Sequence, residues 1–224
     1  MNNIKIKELY LARYDYQDFY EIVSSLINEN KLFGDGTKQK MNNRKFECKN
    51  GDIRVDLPIC FGSEKATYRM VILGLEPRDS NSKFNINHSG KFVFGTPFGI
   101  EYWSEKNKYY RSFKSLLKRN DCFIYFTDVV KEYEVQNSKG DSDKNARKTF
   151  WEKASKKENV DFLIKEIEFI NPTHIIALGN DTYSFLVKYF GDKVVKVKHP
   201  NARQDNHSKL NAWEIIEQKI NSIF

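Results

Sequence analysis

The chain has 224 residues, of which 40% are hydrophobic and 14% aromatic, and this is the composition of a folded protein. No run approaches the ~20 apolar residues of a membrane-spanning helix, and the charged N-terminus lacks a signal-peptide core. We therefore expect a cytoplasmic protein without a membrane partner. The three cysteines are odd in number and have no CxxC spacing, which argues against a disulfide framework and a zinc site. The sequence implies no metal and no organic cofactor.

Basic residues are concentrated in three segments, at residues 37–49, 131–157 and 191–209, and the net charge is +7. Basic segments of this kind suit a polyanion such as DNA. A generally lysine-rich composition produces the same net charge, so charge alone leaves this partner open.

Hydrophobic periodicity predicts an N-terminal helix over residues 8–30, a polar loop or hairpin over 31–51, and a short strand at Ile53–Leu57. Four later runs of apolar or β-branched residues predict strands at Tyr68–Gly74, Cys122–Thr127, His174–Gly179 and Lys193–Lys198. Helical patterns separate or follow these strands at residues 108–119, 158–170, 180–190 and 207–223. Long loops are predicted at residues 79–107 and 131–157.

Strands that alternate with helices predict an α/β fold, with three layers (α/β/α) and a central, mostly parallel four-stranded sheet. No linker or repeat divides the sequence, so we expect a single domain over residues 1–224, with a helical and loop extension at about 1–65. A monomer is the expected oligomeric state.

Ligands of such sheets bind beyond the carboxyl ends of the strands, so the residues that follow each strand are candidates for a site. The first strand is followed by Glu76 and Arg78, the second by Asp128 and Lys131, and the last by His199 and Arg203. Three of the four strand ends therefore present a titratable group with a basic residue a few positions later.

Four short motifs stand in order at these positions: Gly74-Leu75-Glu76-Pro77, Gly95-Thr96-Pro97-Phe98-Gly99, Thr127-Asp128-Val129-Val130-Lys131 and His199-Pro200-Asn201-Ala202-Arg203. With them, the sequence resembles the uracil-DNA glycosylase superfamily over about residues 68–215. The resemblance implies an enzyme that extrudes one base from DNA and hydrolyses the bond between base and sugar. The N-terminal ~65 residues show no counterpart in that pattern.

The resemblance also implies catalytic roles. Glu76 stands where the family carries the group that activates water and stabilises positive charge on the sugar; Asp79 is a second candidate carboxylate. His199 resembles the histidine that donates a hydrogen bond to the base O2 as negative charge accumulates there. An ordinary exposed glutamate and a structural histidine are the alternatives for these two positions.

Further residues are expected to bind the base or the DNA strand. Phe98, on a turn between glycines, resembles the aromatic platform on which the base stacks, an interaction worth roughly 1–3 kcal/mol, and Gly74 and Leu75 should line the base site. Four residues are expected to contact DNA, namely Arg78, Lys131, Asn201 and Arg203. Arg203 resembles the wedge residue of the single-strand-selective branch, although a phosphate-binding arginine fits as well. The DNA partner is double- or single-stranded.

Asp128 departs from the family pattern, because the resemblance places an asparagine there. An amide suits uracil, whereas an ionised aspartate only accepts hydrogen bonds and suits the exocyclic amine of cytosine. A buried, protonated aspartate also donates to cytosine N3. The expected substrate is therefore a modified cytosine, with a role in defence against modified viral DNA. If Asp128 merely caps the next turn, another residue reads the base.

Three other functions compete with this one. A uracil glycosylase of base-excision repair is the second enzyme hypothesis, and a DNA-binding module that kept the fold without the chemistry is the non-enzymatic one. A nucleotide-binding enzyme is disfavoured, because neither GxGxxG nor GxxxxGK[ST] occurs in the sequence.

Overall fold

The computed structural model describes residues 3–14, 52–63, 65–77, 87–89, 92–103, 105–134, 143–202 and 210–224. The helices are α1 (Asn3–Tyr14), α2 (Lys108–Leu117), α3 (Asp143–Ala154), α4 (Lys157–Ile170), α5 (Asn180–Phe190) and α6 (Ala212–Asn221). The strands are β1 (Ile53–Asp56), β2 (Ile59–Phe61), β3 (Tyr68–Gly74), β4 (Asn87–Ser89), β5 (Phe92–Gly95), β6 (Cys122–Asp128), β7 (Glu132–Glu134), β8 (His174–Leu178) and β9 (Val194–Val197). Short 3-10 turns cover Pro97–Tyr102 and Gly191–Lys193.

The main sheet has the strand order β2-β6-β3-β8-β9. Strands β6, β3, β8 and β9 are parallel to their neighbours, and β2 runs antiparallel to β6 at one edge. These four parallel strands are rich in β-branched and aromatic residues and are buried along most of their length, as expected of strands covered on both faces.

A smaller sheet has the strand order β4-β5-β1-β7. Strand β1 lies parallel to β5 and antiparallel to β7, and β4 is antiparallel to β5. Since β7 follows β6 after a gap of only a few residues, this sheet lies next to the end of β6.

Helices cover both faces of the main sheet, with a separate apolar core on each face. One core joins Phe123 and Tyr125 of β6 to α1, α3, α4 and α5. The other joins Ile124 and Phe126 to α2 and α6. Burial of each such large apolar side chain contributes about 1.5–3 kcal/mol. The strict alternation along β6 sets which layer the last two residues of the strand enter.

Two capping arrangements fix helix ends near the sheet. The side-chain oxygen of Asn107 accepts hydrogen bonds from the backbone N–H groups of Tyr109 (2.8 Å) and Tyr110 (3.2 Å), which starts α2. Helix α4 stops at Ile170 because Asn171 adopts the left-handed conformation (φ 48°, ψ 64°) and Pro172 follows. Because α2 directly precedes the parallel strand β6, its first turn lies above the carboxyl edge of the main sheet.

The predicted fold class is confirmed: the chain is α/β, with helices on both faces of a mostly parallel sheet. The four predicted core strands are the four parallel ones, and β1 lies at the short strand predicted at Ile53–Leu57. The edge strand β2 was missed, because a run of three residues gives no periodic signal.

The predicted long loops are wrong in part. Residues 79–107 include β4, β5 and a 3-10 turn, and residues 131–157 include β7 and α3. These elements are short or weakly amphipathic, and tertiary pairing decides them. Residues 8–14 of the helix predicted over 8–30 belong to α1, which begins at Asn3. The rest of that prediction and the loop predicted over 31–51 lie outside the described residues.

The single-domain prediction stays a prediction, but the described parts of residues 1–65 pack into the same body. Ile6, Tyr10 and Tyr14 of α1 belong to the core that covers β6, and Val55 and Leu57 lie in that core as well.

Candidate active site at the carboxyl edge of the main sheet

Asp128 is the last residue of β6 and lies opposite Gly74, the last residue of β3. Its side chain is buried, with 3% exposed, and within the described part of the chain its Oδ2 atom has no hydrogen-bond partner. Burial raises the pKa of this carboxyl well above its ordinary value, and the nearby charge of Asp56 raises it further, while Lys131 and Arg54 oppose the shift. A neutral carboxylic acid is therefore favoured at this position.

Gly74 leaves the space in which two site residues meet. A Cβ atom built on Gly74 would lie 2.5 Å from Asp128 Oδ1 and 2.6 Å from Phe98 Cε1. Only glycine allows the acid and the aromatic ring to approach the strand end this closely.

Phe98 has a strained backbone, because it adopts the left-handed conformation (φ 60°, ψ 14°) that bulky residues rarely use. Its carbonyl oxygen accepts a hydrogen bond from the Trp103 indole N–H (3.1 Å), which helps to hold the turn. The ring is half-buried. It stacks on Tyr109 (centroids 5.1 Å apart, planes at 19°) and meets Phe126 edge-on (6.0 Å). Such strain persists only where the surroundings enforce it, and it is common at functional sites.

His199 follows β9 and is half-buried. The backbone N–H of Asn201 donates to its Nδ1 atom (3.2 Å), so the neutral ring carries its hydrogen on Nε2. Burial lowers the pKa of His199 below its ordinary value, which keeps the ring neutral near pH 7. The ring is thereby prepared to donate one hydrogen bond through Nε2.

Tyr109 lies between Phe98 and His199. Its hydroxyl oxygen is 3.3 Å from His199 Nε2 and accepts from the Asn201 side-chain amide (3.4 Å). Burial raises the pKa of Tyr109 above its ordinary value, and the charge of Asp128 adds to the effect, so the phenol stays protonated.

Glu76 is half-buried two residues beyond the end of β3. Its charge contributes to the raised pKa of Asp128, so the two carboxyl groups lie within electrostatic reach of each other. The backbone N–H groups of Val129 and Val130 donate to the carbonyl oxygens of Gly74 (3.0 Å) and Leu75 (2.9 Å). These bonds join the loop that carries Glu76 to the loop that follows Asp128.

Arg54 and Asp56 of β1 form a buried ion pair (2.9 Å) next to this edge. Asp56 raises the pKa of Asp128 and Arg54 lowers it, which brings both residues into the electrostatics of the site. The sequence analysis missed them because it applied the strand-end rule only to the main sheet. Asp56 ends a strand that was predicted, so the same rule would have found it.

Tyr109 was also missed. The available signal was Asn107, a helix-capping residue: a helix that precedes a parallel strand begins at the carboxyl edge, and its first turn therefore faces the ligand site.

The prediction that Lys131 contacts DNA is wrong, because its side chain is not accessible. Its side chain is 1% exposed and lies on the opposite side of the sheet from Asp128. Its ammonium group forms an ion pair with Glu166 Oε2 (2.6 Å) and donates to Thr127 Oγ1 and to the Asp128 carbonyl oxygen. Desolvation lowers the pKa of Lys131. Its role is to hold the backbone beneath Asp128.

The remaining predicted residues divide into two groups. Asn201 is exposed and positions His199 and Tyr109 through the bonds described above. Arg78, Asp79 and Arg203 lie outside the described residues, so their predicted contacts with DNA and water stay predictions. The structure thus brings together Gly74, Phe98, Asp128 and His199, with Glu76 nearby.

No group of three or more His, Cys, Asp or Glu side chains stands close enough to share a metal ion, as far as the described ranges extend. Over the same ranges, no helix combines the length and apolarity needed to cross a bilayer.

A separate cleft of about 150 Å³ lies beside the smaller sheet, where Arg13, Glu132 and Lys156 are among the lining residues. Arg13 and Glu132 form an ion pair across it (3.0 Å). Val130 is the one motif residue among the described residues that line this cleft, and it belongs to the apolar core. We place the site at the strand ends instead, because the aromatic platform and the buried acid lie there.

The model of the uracil DNA glycosylase superfamily matches residues 61–219 of the chain. No curated protein matches the chain. The family match covers more than half of the sequence and all four motifs, and the protein therefore belongs to the uracil DNA glycosylase superfamily. Members of this superfamily are DNA glycosylases, which are hydrolases that act on DNA.

Proposed function

We propose that the protein is a DNA glycosylase that hydrolyses the N-glycosidic bond of a flipped-out, modified cytosine. The observation that carries this proposal is Asp128: a buried carboxyl group with an unpartnered Oδ2 among the described residues, placed beside the aromatic ring of Phe98. A buried polar atom without a partner costs roughly 1–3 kcal/mol. A base edge that supplies the missing hydrogen bond recovers this free energy on binding.

The neutral form of Asp128 offers one donor and one acceptor. Its carbonyl oxygen accepts from the cytosine amine, while its O–H group donates to cytosine N3. The raised pKa favours this form. With the hydrogen on the other oxygen, the same acid complements O4 and N3–H of uracil. Uracil excision in base-excision repair is therefore the second candidate function.

In the proposed reaction, the bond between the sugar C1′ and the base nitrogen breaks, and its electron pair leaves with the base. The Nε2–H group of His199 donates to the base O2, where negative charge accumulates. A water oxygen forms the new bond to C1′, and the Glu76 carboxylate accepts the proton of that water and stabilises the positive sugar. Phe98 holds the base plane by stacking.

A modified cytosine is preferred as the substrate because excision of ordinary cytosine would damage the genome of the host. Enzymes of this specificity would act in defence against viruses whose DNA carries modified cytosine.

The direct test is to incubate the protein with DNAs that carry cytosine, 5-hydroxymethylcytosine, its glucosylated form or uracil, and to identify the released base by mass spectrometry. We expect release of a modified cytosine. Release of uracil alone supports the repair function. Strongly salt-dependent DNA binding without release of any base supports the binding module.

Asp128→Asn sharpens this test. The amide should lower release of the cytosine-type base, and it should preserve or raise release of uracil. Asp192→Asn removes a charge from an exposed aspartate on the 3-10 turn before β9, and this control should leave the preference unchanged.

A further inference from the structure

Tyr109 makes two contacts that the proposed function assigns to the flipped base. Its ring lies nearly parallel to Phe98, at 5.1 Å between centroids and 19° between planes, which is the geometry of a stacked aromatic pair. Its hydroxyl oxygen lies 3.3 Å from Nε2 of His199. The ring is also close enough to Asp128 for the acid to affect its ionisation.

His199 can donate a full hydrogen bond to only one acceptor, either the Tyr109 oxygen or the carbonyl of a bound base. The Asn201 backbone N–H occupies Nδ1 (3.2 Å), so the neutral imidazole has a single N–H group, on Nε2. That group points at the Tyr109 oxygen in the present structure. A base carbonyl that receives the same hydrogen must take the place of the tyrosine oxygen.

We propose that Tyr109 is a specificity-determining residue that occupies the base site of the free protein and is displaced by the entering base. This inference rests on the proposed function. A planar base with a carbonyl opposite His199 replaces both contacts of Tyr109, namely the stack on Phe98 and the hydrogen bond to Nε2. A base without that carbonyl replaces only the stack, and it competes less well.

The position of Tyr109 favours exchange over a fixed structural role. It lies in the first turn of α2, held from behind by the Asn107 cap, while its neighbour Tyr110 points into the core and is 8% exposed. Rotation of the Tyr109 side chain gives up its packing at the edge of that core but leaves the Asn107 cap and the buried Tyr110 in place. The site opens without movement of the backbone.

The test compares Tyr109→Phe with the wild type in single-turnover excision. Phenylalanine keeps the stack and removes the bond to His199, so a base meets less competition. We expect the protein concentration at half-maximal rate to fall by about threefold to tenfold, as the loss of one neutral hydrogen bond predicts, with the limiting rate unchanged. Tyr189→Phe removes the same atom from an exposed ring on α5 and serves as the control.

Other outcomes overturn the proposal. A lower limiting rate with an unchanged half-saturation concentration would mean that Tyr109 acts on the chemical step, and no change in either would mean that it has no part in base entry. A 3-fluorotyrosine at position 109 gives a second measurement by ¹⁹F NMR. Its resonance should move with DNA that carries a non-cleavable 2′-fluorinated substrate nucleotide, but stay in place with abasic DNA.

Different results would contradict the proposed glycosylase function and the displacement of Tyr109. If the wild type releases no base from any DNA, the proposed function fails. If it releases a base while the fluorotyrosine resonance is the same with both DNAs, only the displacement of Tyr109 is wrong.

Discussion

Thr127 and Asp128 are neighbours in β6, yet their side chains enter opposite layers of the protein. We call the face of the main sheet that α1, α3, α4 and α5 cover its back, and the face that α2 and α6 cover its front. Behind the sheet, the hydroxyl of Thr127 joins a buried network. Glu166 Oε1 accepts there from Tyr10 (2.6 Å), Tyr125 (2.8 Å) and Thr127 (3.1 Å). The other oxygen, Oε2, accepts no hydrogen bond within the described residues, but it forms an ion pair with the Lys131 ammonium at 2.6 Å. In front of the sheet, Asp128 is also buried, but its Oδ2 has no partner in the part of the chain that is described.

This difference separates a buried acid whose desolvation is offset by partners from a buried acid whose desolvation is not. Glu166 is 0% exposed and surrounded by donors, so its free energy of desolvation is offset inside the protein. Asp128 lacks such partners, and the free energy of desolvation of its charged form raises its pKa. Four mutational predictions test this contrast.

The largest expected effect is behind the sheet. Lys131→Met leaves the Glu166 carboxylate buried without its cation, so the free energy of unfolding should fall by about 3–5 kcal/mol in urea titrations. The double variant Lys131→Met/Glu166→Gln should regain most of the loss. Lys148→Met removes an exposed partner of Glu152 and should cost less than about 0.5 kcal/mol. A loss below about 1 kcal/mol in the single variant would contradict the network described here.

In front of the sheet, Glu76→Gln should affect catalysis and not folding. Loss of the water-activating carboxylate should slow base release about 100- to 1000-fold, with the urea midpoint nearly unchanged. The measurement is the single-turnover rate on the preferred DNA. Glu168→Gln changes an exposed glutamate on α4 and should keep the wild-type rate. An unaffected rate in Glu76→Gln would assign the water-activating role to another group.

Gly74→Ala tests how closely Asp128 and Phe98 approach the strand end. The new Cβ atom would overlap with both side chains, and the strained turn gives Phe98 little freedom to retreat. We expect a stability loss of about 1–3 kcal/mol, together with weaker binding of the substrate. Gly191→Ala, where no atom lies within 4 Å, should lose only some stability through its positive φ (54°) and keep its activity. Full activity in Gly74→Ala would show that the packing at this point is unimportant.

The smallest effect concerns the pH dependence of stability. An acid whose folded pKa is raised stabilises the fold at low pH, and this contribution is lost as the pH rises towards the folded pKa. Asparagine is neutral throughout. Asp128→Asn should therefore match the wild type near pH 4 and be more stable by at least about 1 kcal/mol at pH 8, as measured by urea unfolding. A difference that shrinks with rising pH would mean that Asp128 is stabilised as an anion.

Much of the fold was accessible from the sequence, because the parallel strands are continuous apolar runs separated by amphipathic helices. The strand-end rule then predicted Glu76, Asp128 and His199 as site residues, and their roles stay predictions. It failed for Lys131, since the sequence does not show which layer a residue enters after a strand ends. Strands β4, β5 and β7 and helix α3 were missed because short strands and polar helices depend on contacts that are distant in sequence.

Tyr109, Arg54 and Asp56 escaped the sequence analysis for a related reason. They reach the site from a helix and from the second sheet, and no spacing relates them to the motifs of the main sheet. The Asn107 cap and the strand end at Asp56 were available signals for this edge, and the stacking of Tyr109 on Phe98 and the charges of Arg54 and Asp56 near Asp128 bring these residues into the site.

The bond from Tyr10 to Glu166 has a practical consequence for work with fragments. The family-matching segment begins at residue 61, so an expressed piece confined to it would lack α1 and β1. Such a piece would leave Glu166 short of one hydroxyl donor, expose the apolar surface that Ile6 and Tyr14 cover, and remove the Arg54–Asp56 pair beside Asp128. The shared segment therefore lacks contacts that complete its core in this protein, and the residues that precede it influence the pKa of Asp128.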